Sequence, residues 1–202
     1  MNTKQQEIIK RAYSLFQKMG IKSVSMDDIA KDSGISKKTL YEQVGNKEKL
    51  VALIIDFKTQ ENLPHNIDFS QINAIDVLFF AYKNAIQFFK DFNFSMEHDL
   101  QKYYPKIYEK CSKRRRIMIY EKMVANMEMG RKEGSFRDDF NIDIIAKLHV
   151  MKIEAILQTD IFQKDNYSIV EIFKELFTHH FMGIATPQGI KVFKHKLKEL
   201  DS

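Results

Sequence analysis

The chain has 202 residues, 44% of them hydrophobic and 29% charged, with a formal net charge of +5. The apolar share excludes a disordered chain. One cysteine excludes a disulfide-stapled domain and a Cys-based zinc site, and only seven Gly and three Pro speak against an all-β protein, which needs many turns. The start, MNTKQQEIIKRAYSLF, has no apolar signal core. No window reaches the roughly 18 uninterrupted apolar residues of a membrane span. A soluble cytoplasmic protein is expected, with Cys111 a reduced thiol and no membrane partner.

The charge is unevenly placed. Residues 1–50 hold ten basic and six acidic side chains, so this quarter carries +4 of the +5. A local basic excess points to a polyanion partner or to a lysine-rich solvated surface. Within it, Ile8, Ala12, Leu15, Phe16 and Met19 share one face of a first helix, which Gly20 ends. Ser25 can cap a second helix, with Asp27 and Asp28 in its first turn against the dipole. Gly34-Ile35-Ser36 makes a tight turn, and Ser36 can cap a third helix from Lys37 to about Val44. With Leu40 and Val44 buried, Lys38 and Glu42 face outward and Thr39 and Tyr41 flank them. Asn46 suits the cap of a fourth helix. Lys47 in its first turn opposes that dipole, so an anion nearby is expected. Two short helices, a glycine turn and a basic exposed face make a helix-turn-helix pattern.

These residues carry a resemblance. The stretches Val24–Ala30, Gly34–Tyr41 and Asn46–Leu50, with Ile9, Ala12, Leu15, Phe16 and Gly20 before them, resemble the DNA-binding domain of TetR-family transcriptional regulators. Met129–Asp139 resembles that family's turn between helices 7 and 8. The resemblance implies double-stranded DNA as partner, a palindromic operator, a homodimer and a small-molecule effector. It implies DNA-binding roles for Ser25, Ser36, Lys37, Lys38, Thr39, Tyr41, Gln43 and Lys47, with Thr39, Tyr41 and Lys47 on phosphates. Glu42 departs from the family pattern, where an aromatic, His or basic residue is common; it either accepts from a base edge, pairs with Lys38, or contacts nothing. Val44 replaces a frequent Phe and only shrinks the local core.

The fourth helix is expected to run to about residue 62, before Pro64, with a loop over 62–66. Further helices are expected over 72–92, 96–104, from the break at Pro105 to 129, 143–162 and 168–182, with an amphipathic tail over 186–202. The fold class is therefore all-α: an N-terminal three-helix helix-turn-helix domain, residues 1–50, and a C-terminal helical-bundle ligand-binding and dimerisation domain, residues 51–202.

Ten of the 24 aromatic residues lie between Phe79 and Tyr108. Aromatic and Met clusters line apolar cavities or fill ordinary cores. The resemblance favours a cavity, with Phe79, Tyr82, Phe88, Phe89, Tyr103, Tyr104, Tyr108, Met118, Met123 and Met127 as pocket candidates and a largely apolar or aromatic effector. The last two long helices are apolar almost all round, so each must bury two sides. One side suits the chain's own core and the other a second copy. Leu148, Met151, Ala155, Phe173, Leu176, Phe177, His180 and Phe181 are the dimer candidates.

No catalytic or metal constellation is expected, and no cofactor. His179 and His180 are adjacent and diverge by about 100° on a helix, which makes them poor co-ligands. His149 reads as a packed histidine. The run Lys113-Arg114-Arg115-Arg116 covers all sides of its helix, so part of it must be paired or solvated. The expected function is a repressor released by its effector. A competing class is a helical ligand-binding or scaffold protein with an inactive head, for which Glu42 leaves room.

Overall fold

The computed structural model describes residues 1–61, 72–90, 93–158 and 167–200. Among them are ten α-helices and no strand: α1 (Thr3–Met19), α2 (Met26–Asp32), α3 (Lys37–Val44), α4 (Lys47–Glu61), α5 (Ala74–Lys90), α6 (Phe94–Tyr103), α7 (Pro105–Lys132), α8 (Ile142–Gln158), α9 (Ile169–Ile184) and α10 (Pro187–Leu200). The expected all-α class holds. The expected loop over 62–66, the expected helix ends at Phe92 and Phe162, and the side chain of Phe89 lie outside the described residues. None of the described helices is long and apolar enough to cross a membrane.

Local chemistry sets the helix ends. Asn2 caps α1 by accepting from the Gln5 N–H at 2.8 Å. Asn46 caps α4 through the Lys49 N–H at 2.9 Å, and Asn93 caps α6 through the Met96 N–H at 2.9 Å. Ser168 and Glu171 form a reciprocal capping box at the start of α9. α7 opens on Pro105, whose missing N–H costs nothing at the first helical position. The tail is a full helix: Pro187 opens α10, and the Thr186 hydroxyl accepts from the Gly189 N–H at 3.1 Å.

The chain divides into two compact units, residues 1–67 with 93–114, and residues 68–92 with 115–202. In the first, Ile9, Phe16, Ile29, Leu40, Leu50 and Ile54 are fully buried, and Met96 and Leu100 of α6 join the same core. In the second, Phe79, Phe173, Phe177, Phe181 and Phe193 form the centre with Tyr82. Their rings stack or meet edge-on, with Phe181 on Phe193 at 3.9 Å and 13° and Tyr82 on Phe177 at 4.3 Å and 21°.

The turn after α7 is zipped to the α9–α10 junction. Gly134 takes φ 73°, which lets the chain reverse. Phe136 then pairs with Ala185 in an isolated antiparallel bridge, the Arg137 N–H donates to Ile184 O at 2.8 Å, and the Thr186 N–H donates to Ser135 O at 3.0 Å. Two glycines make this possible. A Cβ on Gly130 would overlap the buried Phe136 ring, and one on Gly189 would overlap the Ser135 carbonyl oxygen. Gly189→Ala is therefore expected to destabilise the protein by a net of about 1–2 kcal/mol. The overpacking costs about 1–3 kcal/mol, partly offset by up to about 1 kcal/mol of better helix propensity. Urea denaturation reads the net value, and a gain in stability would contradict the close approach.

Candidate nucleic-acid interface

α3 is an eight-residue helix held by two anchors, Leu40 fully buried and Val44 nearly so. Burying a leucine is worth about 2 kcal/mol, enough to hold a helix too short to stand alone. Ser36 caps it, accepting from the Thr39 N–H at 3.1 Å, and the Ser36 and Thr39 hydroxyls lie 2.9 Å apart. The preceding turn has Gly34 at φ 64°. With that face seated, Lys37, Lys38, Tyr41 and Glu42 are exposed and Thr39 half-buried on its flank. Tyr41 keeps 43% of its surface exposed. This is the arrangement that the periodicity predicts.

α2 starts on the capping box of Ser25 and Asp28, with the Ser25 N–H donating to the Asp28 carboxylate at 2.8 Å. These bonds, first from the Ser25 hydroxyl and then from its amide, hold the Asp28 carboxyl below the usual carboxylate range. Ser25 is thus occupied in shaping α2, although it remains exposed. Lys37 forms an exposed ion pair with Asp27 of α2 at 2.8 Å, and that carboxylate raises the Lys37 ammonium above its ordinary value. An exposed pair of this kind is readily exchanged for a stronger anion. Glu42 makes no ion pair among the described residues, with Lys38 or with any other cation.

Gln43 is held from the start of α1. Asn2 Nδ2 donates to its Oε1 at 3.2 Å, and Gln5 Nε2 donates to its carbonyl at 2.8 Å. Lys47 is partly buried at the start of α4 and donates to Lys22 O at 3.3 Å. Burial lowers its ammonium below the ordinary value, against the charges of Asp99 and Asp28. Those two carboxylates supply the anions expected beside a lysine that opposes the dipole.

A buttress from α6 has no local signal in the sequence. Asp99 accepts from the Lys22 N–H at 2.9 Å, and Asn93 Nδ2 donates to Gln17 O at 2.6 Å. Together they grip the turn between α1 and α2 from 76 and 77 residues away. Asp99 Oδ2 would also stand 3.0 Å from a Cβ on Gly20, so this turn has little spare room.

The basic run on α7 is largely paired within the chain. Arg114 meets Asp56 of α4 at 2.9 Å, in the first unit. In the second, Arg115 and Arg116 converge on the buried Glu154 of α8 at 3.0 and 3.4 Å. Three of its four cations therefore have carboxylate partners inside the protein.

The pocket candidates fall in both units. Phe79, Tyr82, Met123 and Met127 are buried in the core of the second, while Met118 is half-buried and Phe88 exposed. Tyr104 and Tyr108 pack against the core of the first unit. Burial raises the Tyr104 phenol above its ordinary value. Tyr103 is exposed; its hydroxyl bonds Lys22, whose ammonium this holds above the ordinary value, and that ammonium lies 5.0 Å from the ring centroid.

The dimer candidates sort by helix face. α8 buries Ala146, His149, Ile153 and Ile156 and exposes Ile144, Leu148, Met151 and Ala155. The exposed set recurs at four, three and four residues, a continuous apolar stripe, with Met151 65% exposed. Phe173, Phe177, His180 and Phe181 of α9 are buried in the chain's own core, and Leu176 is half-buried. His180 stands against His149 with ring centroids 4.4 Å apart.

Comparison with known proteins agrees with this geometry. Residues 8–54 match the family model described as "Bacterial regulatory proteins, tetR family". No curated protein sequence matches the chain. Among solved structures, a TetR transcription regulator from Haloarcula marismortui is similar at TM-score 0.75 and 14% identity, covering 91% of this chain and 98% of that one. Reduced NemR from E. coli follows at 0.70 and 12%, covering 92% and 99%, and a transcriptional regulator from Cytophaga hutchinsonii at 0.68 and 17%, covering 92% and 100%. At these identities the structures speak for the fold, and the match over residues 8–54 speaks for the family. Residues 8–54 form a TetR-family DNA-binding domain, and the chain that carries it has the TetR fold.

Proposed function

We propose that this protein is a TetR-family transcriptional regulator, a homodimeric repressor that binds a palindromic operator and leaves it when a largely apolar or aromatic effector binds. Residues 1–50 serve as the DNA head and residues 51–202 as the effector and dimerisation body. The observation that carries the DNA reading is the seat of α3: Leu40 and Val44 are buried, and Lys38, Thr39 and Tyr41 are thereby turned toward a major groove. Lys37, released from Asp27, and Lys47 at the start of α4 add phosphate contacts. Ser25 and Ser36 contribute mainly by shaping the ends of α2 and α3, and Gln43 by docking the start of α1 beside the interface.

The exposed stripe Ile144, Leu148, Met151 and Ala155 on α8 supports a second copy as partner, because an apolar face of that regularity is otherwise left in water. The effector reading draws on the aromatic and Met-rich composition of the body. An effector that prefers a state unsuited to the operator opposes DNA through linkage.

The competing reading, a helical binding protein with an inactive head, is favoured by Glu42, exposed and without an ion pair in the middle of the presented face. Gel shifts on the DNA beside the protein's own gene separate the two. A regulator is expected to lose affinity by about 10³-fold or more between 50 and 200 mM salt. No shift at either salt concentration would favour the inactive head. Sedimentation as a monomer at micromolar concentration would overturn the dimer.

A further inference from the structure

The His149–His180 contact belongs neither to the face of α3 nor to the exposed stripe of α8. His149 lies on the inward face of α8 and His180 on the inward face of α9, 8% and 6% exposed. Their ring centroids are 4.4 Å apart at a tilt of 54°. His149 Nδ1 and His180 Nε2 are both shut off from solvent and have no hydrogen-bond partner among the described residues. Two titratable rings therefore touch where neither has a group to receive an added charge.

The surroundings sharpen this. Lys152 on α8 acts on both rings and His179 on α9 acts on His180, and all of these influences disfavour a further positive charge. The nearest buried carboxylate along α8, Glu154, is held by Arg115 and Arg116. α5 and α10 pack against α9 through the rings of Phe79, Tyr82 and Phe193, which meet those of Phe177 and Phe181. The same positive field speaks against a metal ion between the rings.

We propose that the His149–His180 contact is an acid-sensitive latch: a proton on either ring parts α8 from α9 and disorganises the face that α8 offers to a second copy. The effect on the second copy rests on the dimer reading above; the parting of the helices does not.

The direction follows from linkage. Burial holds His149 at about 4 and His180 at about 3, both below the ordinary 6.5; Lys152 adds to the first, and His149 and then Lys152 add to the second. The opened or unfolded chain binds protons that the closed state refuses, so stability is full above about pH 6.5 and falls as pH drops toward about 4. Between pH 7.5 and 5.5 each ring contributes about tenfold to the opening constant, and the pair about a hundredfold.

Three measurements test the latch. Urea unfolding of wild type and His180→Gln at pH 7.5 and 5.5 is expected to show about tenfold less acid sensitivity in the variant, because one titrating ring is gone. Equal sensitivity would overturn the proposal. If the variant does not fold, proton NMR titration of the wild-type imidazoles decides: two rings that stay neutral at pH 5.5 support the latch, and six rings that all titrate near 6.5 overturn it. Sedimentation at pH 7.5 and at about pH 4, where the rings begin to take up protons, reads the second copy. A dimer at pH 7.5 that dissociates at the lower pH supports the full proposal, and one equally tight there overturns its dimer arm. A monomer at pH 7.5 overturns the dimer reading alone and leaves the latch to the other two measurements.

Discussion

Tyr41→Ala is expected to weaken operator binding about a hundredfold. A hydrogen bond to a charged phosphate contributes about 1.5 kcal/mol or more, and a two-fold dimer loses one in each head. The loss should be similar on every DNA sequence, because a phosphate carries no base identity. Tyr41→Phe separates the causes: it should reproduce most of the loss if the hydroxyl is the contact, and little if the ring is. Lys47→Ala should lower affinity less steeply and reduce the salt slope by about one per subunit. Its ammonium also bonds Lys22 O, so thermal unfolding is the companion measurement. Wild-type affinity in Tyr41→Ala would mean that α3 does not present this ring to the backbone of DNA.

Phe181→Ala is expected to have the largest effect on stability, about 3–5 kcal/mol. Phe181 is fully buried, stacked on Phe193 at 3.9 Å and edge-on to Phe136 at 5.8 Å. Truncation opens a cavity between rings that are themselves pinned. Phe136 lies over Gly130 and is tied to Ala185 by the bridge, so it cannot slide in to fill the space. Urea denaturation followed by the near-ultraviolet aromatic signal reads the loss. A cost under about 1 kcal/mol would mean that the site collapses freely, contrary to this packing.

Much of the head is legible in the sequence because its signals are local. Ser25 with Asp28, Ser36 with Thr39, and Asn46 with Lys49 are capping pairs three residues apart. Gly34 needs only its own backbone to make the turn. Leu40 and Val44, four apart, set which side of α3 is buried and hence that Lys38, Tyr41 and Glu42 are exposed. The double-sided character of α8 is legible for the same reason, since its inward and outward residues alternate at helical spacing.

The partners of long side chains are not legible this way. The run Lys113–Arg116 covers all sides of its helix, so some of it must be paired or solvated, but its partners Asp56 and Glu154 lie 58 and 39 residues from the arginines they bind. Asp99 reads as one more surface carboxylate until it is seen to cap the backbone at Lys22. Nothing local marks Gly189, which lies inside α10, as a position where Ser135 O leaves no space for a Cβ.

Sequence alone therefore determined most of the helices, the caps at Ser25, Ser36 and Asn46, the exposed face of α3 and the TetR-like head, because each follows from interactions within about one helical turn. Tertiary structure alone decided that α6 grips the α1–α2 turn, that the basic run is spent on internal carboxylates, and that His149 and His180 meet. Those outcomes depend on which helix faces pack together across tens of residues, and hydrophobic periodicity specifies a buried face without specifying its partner.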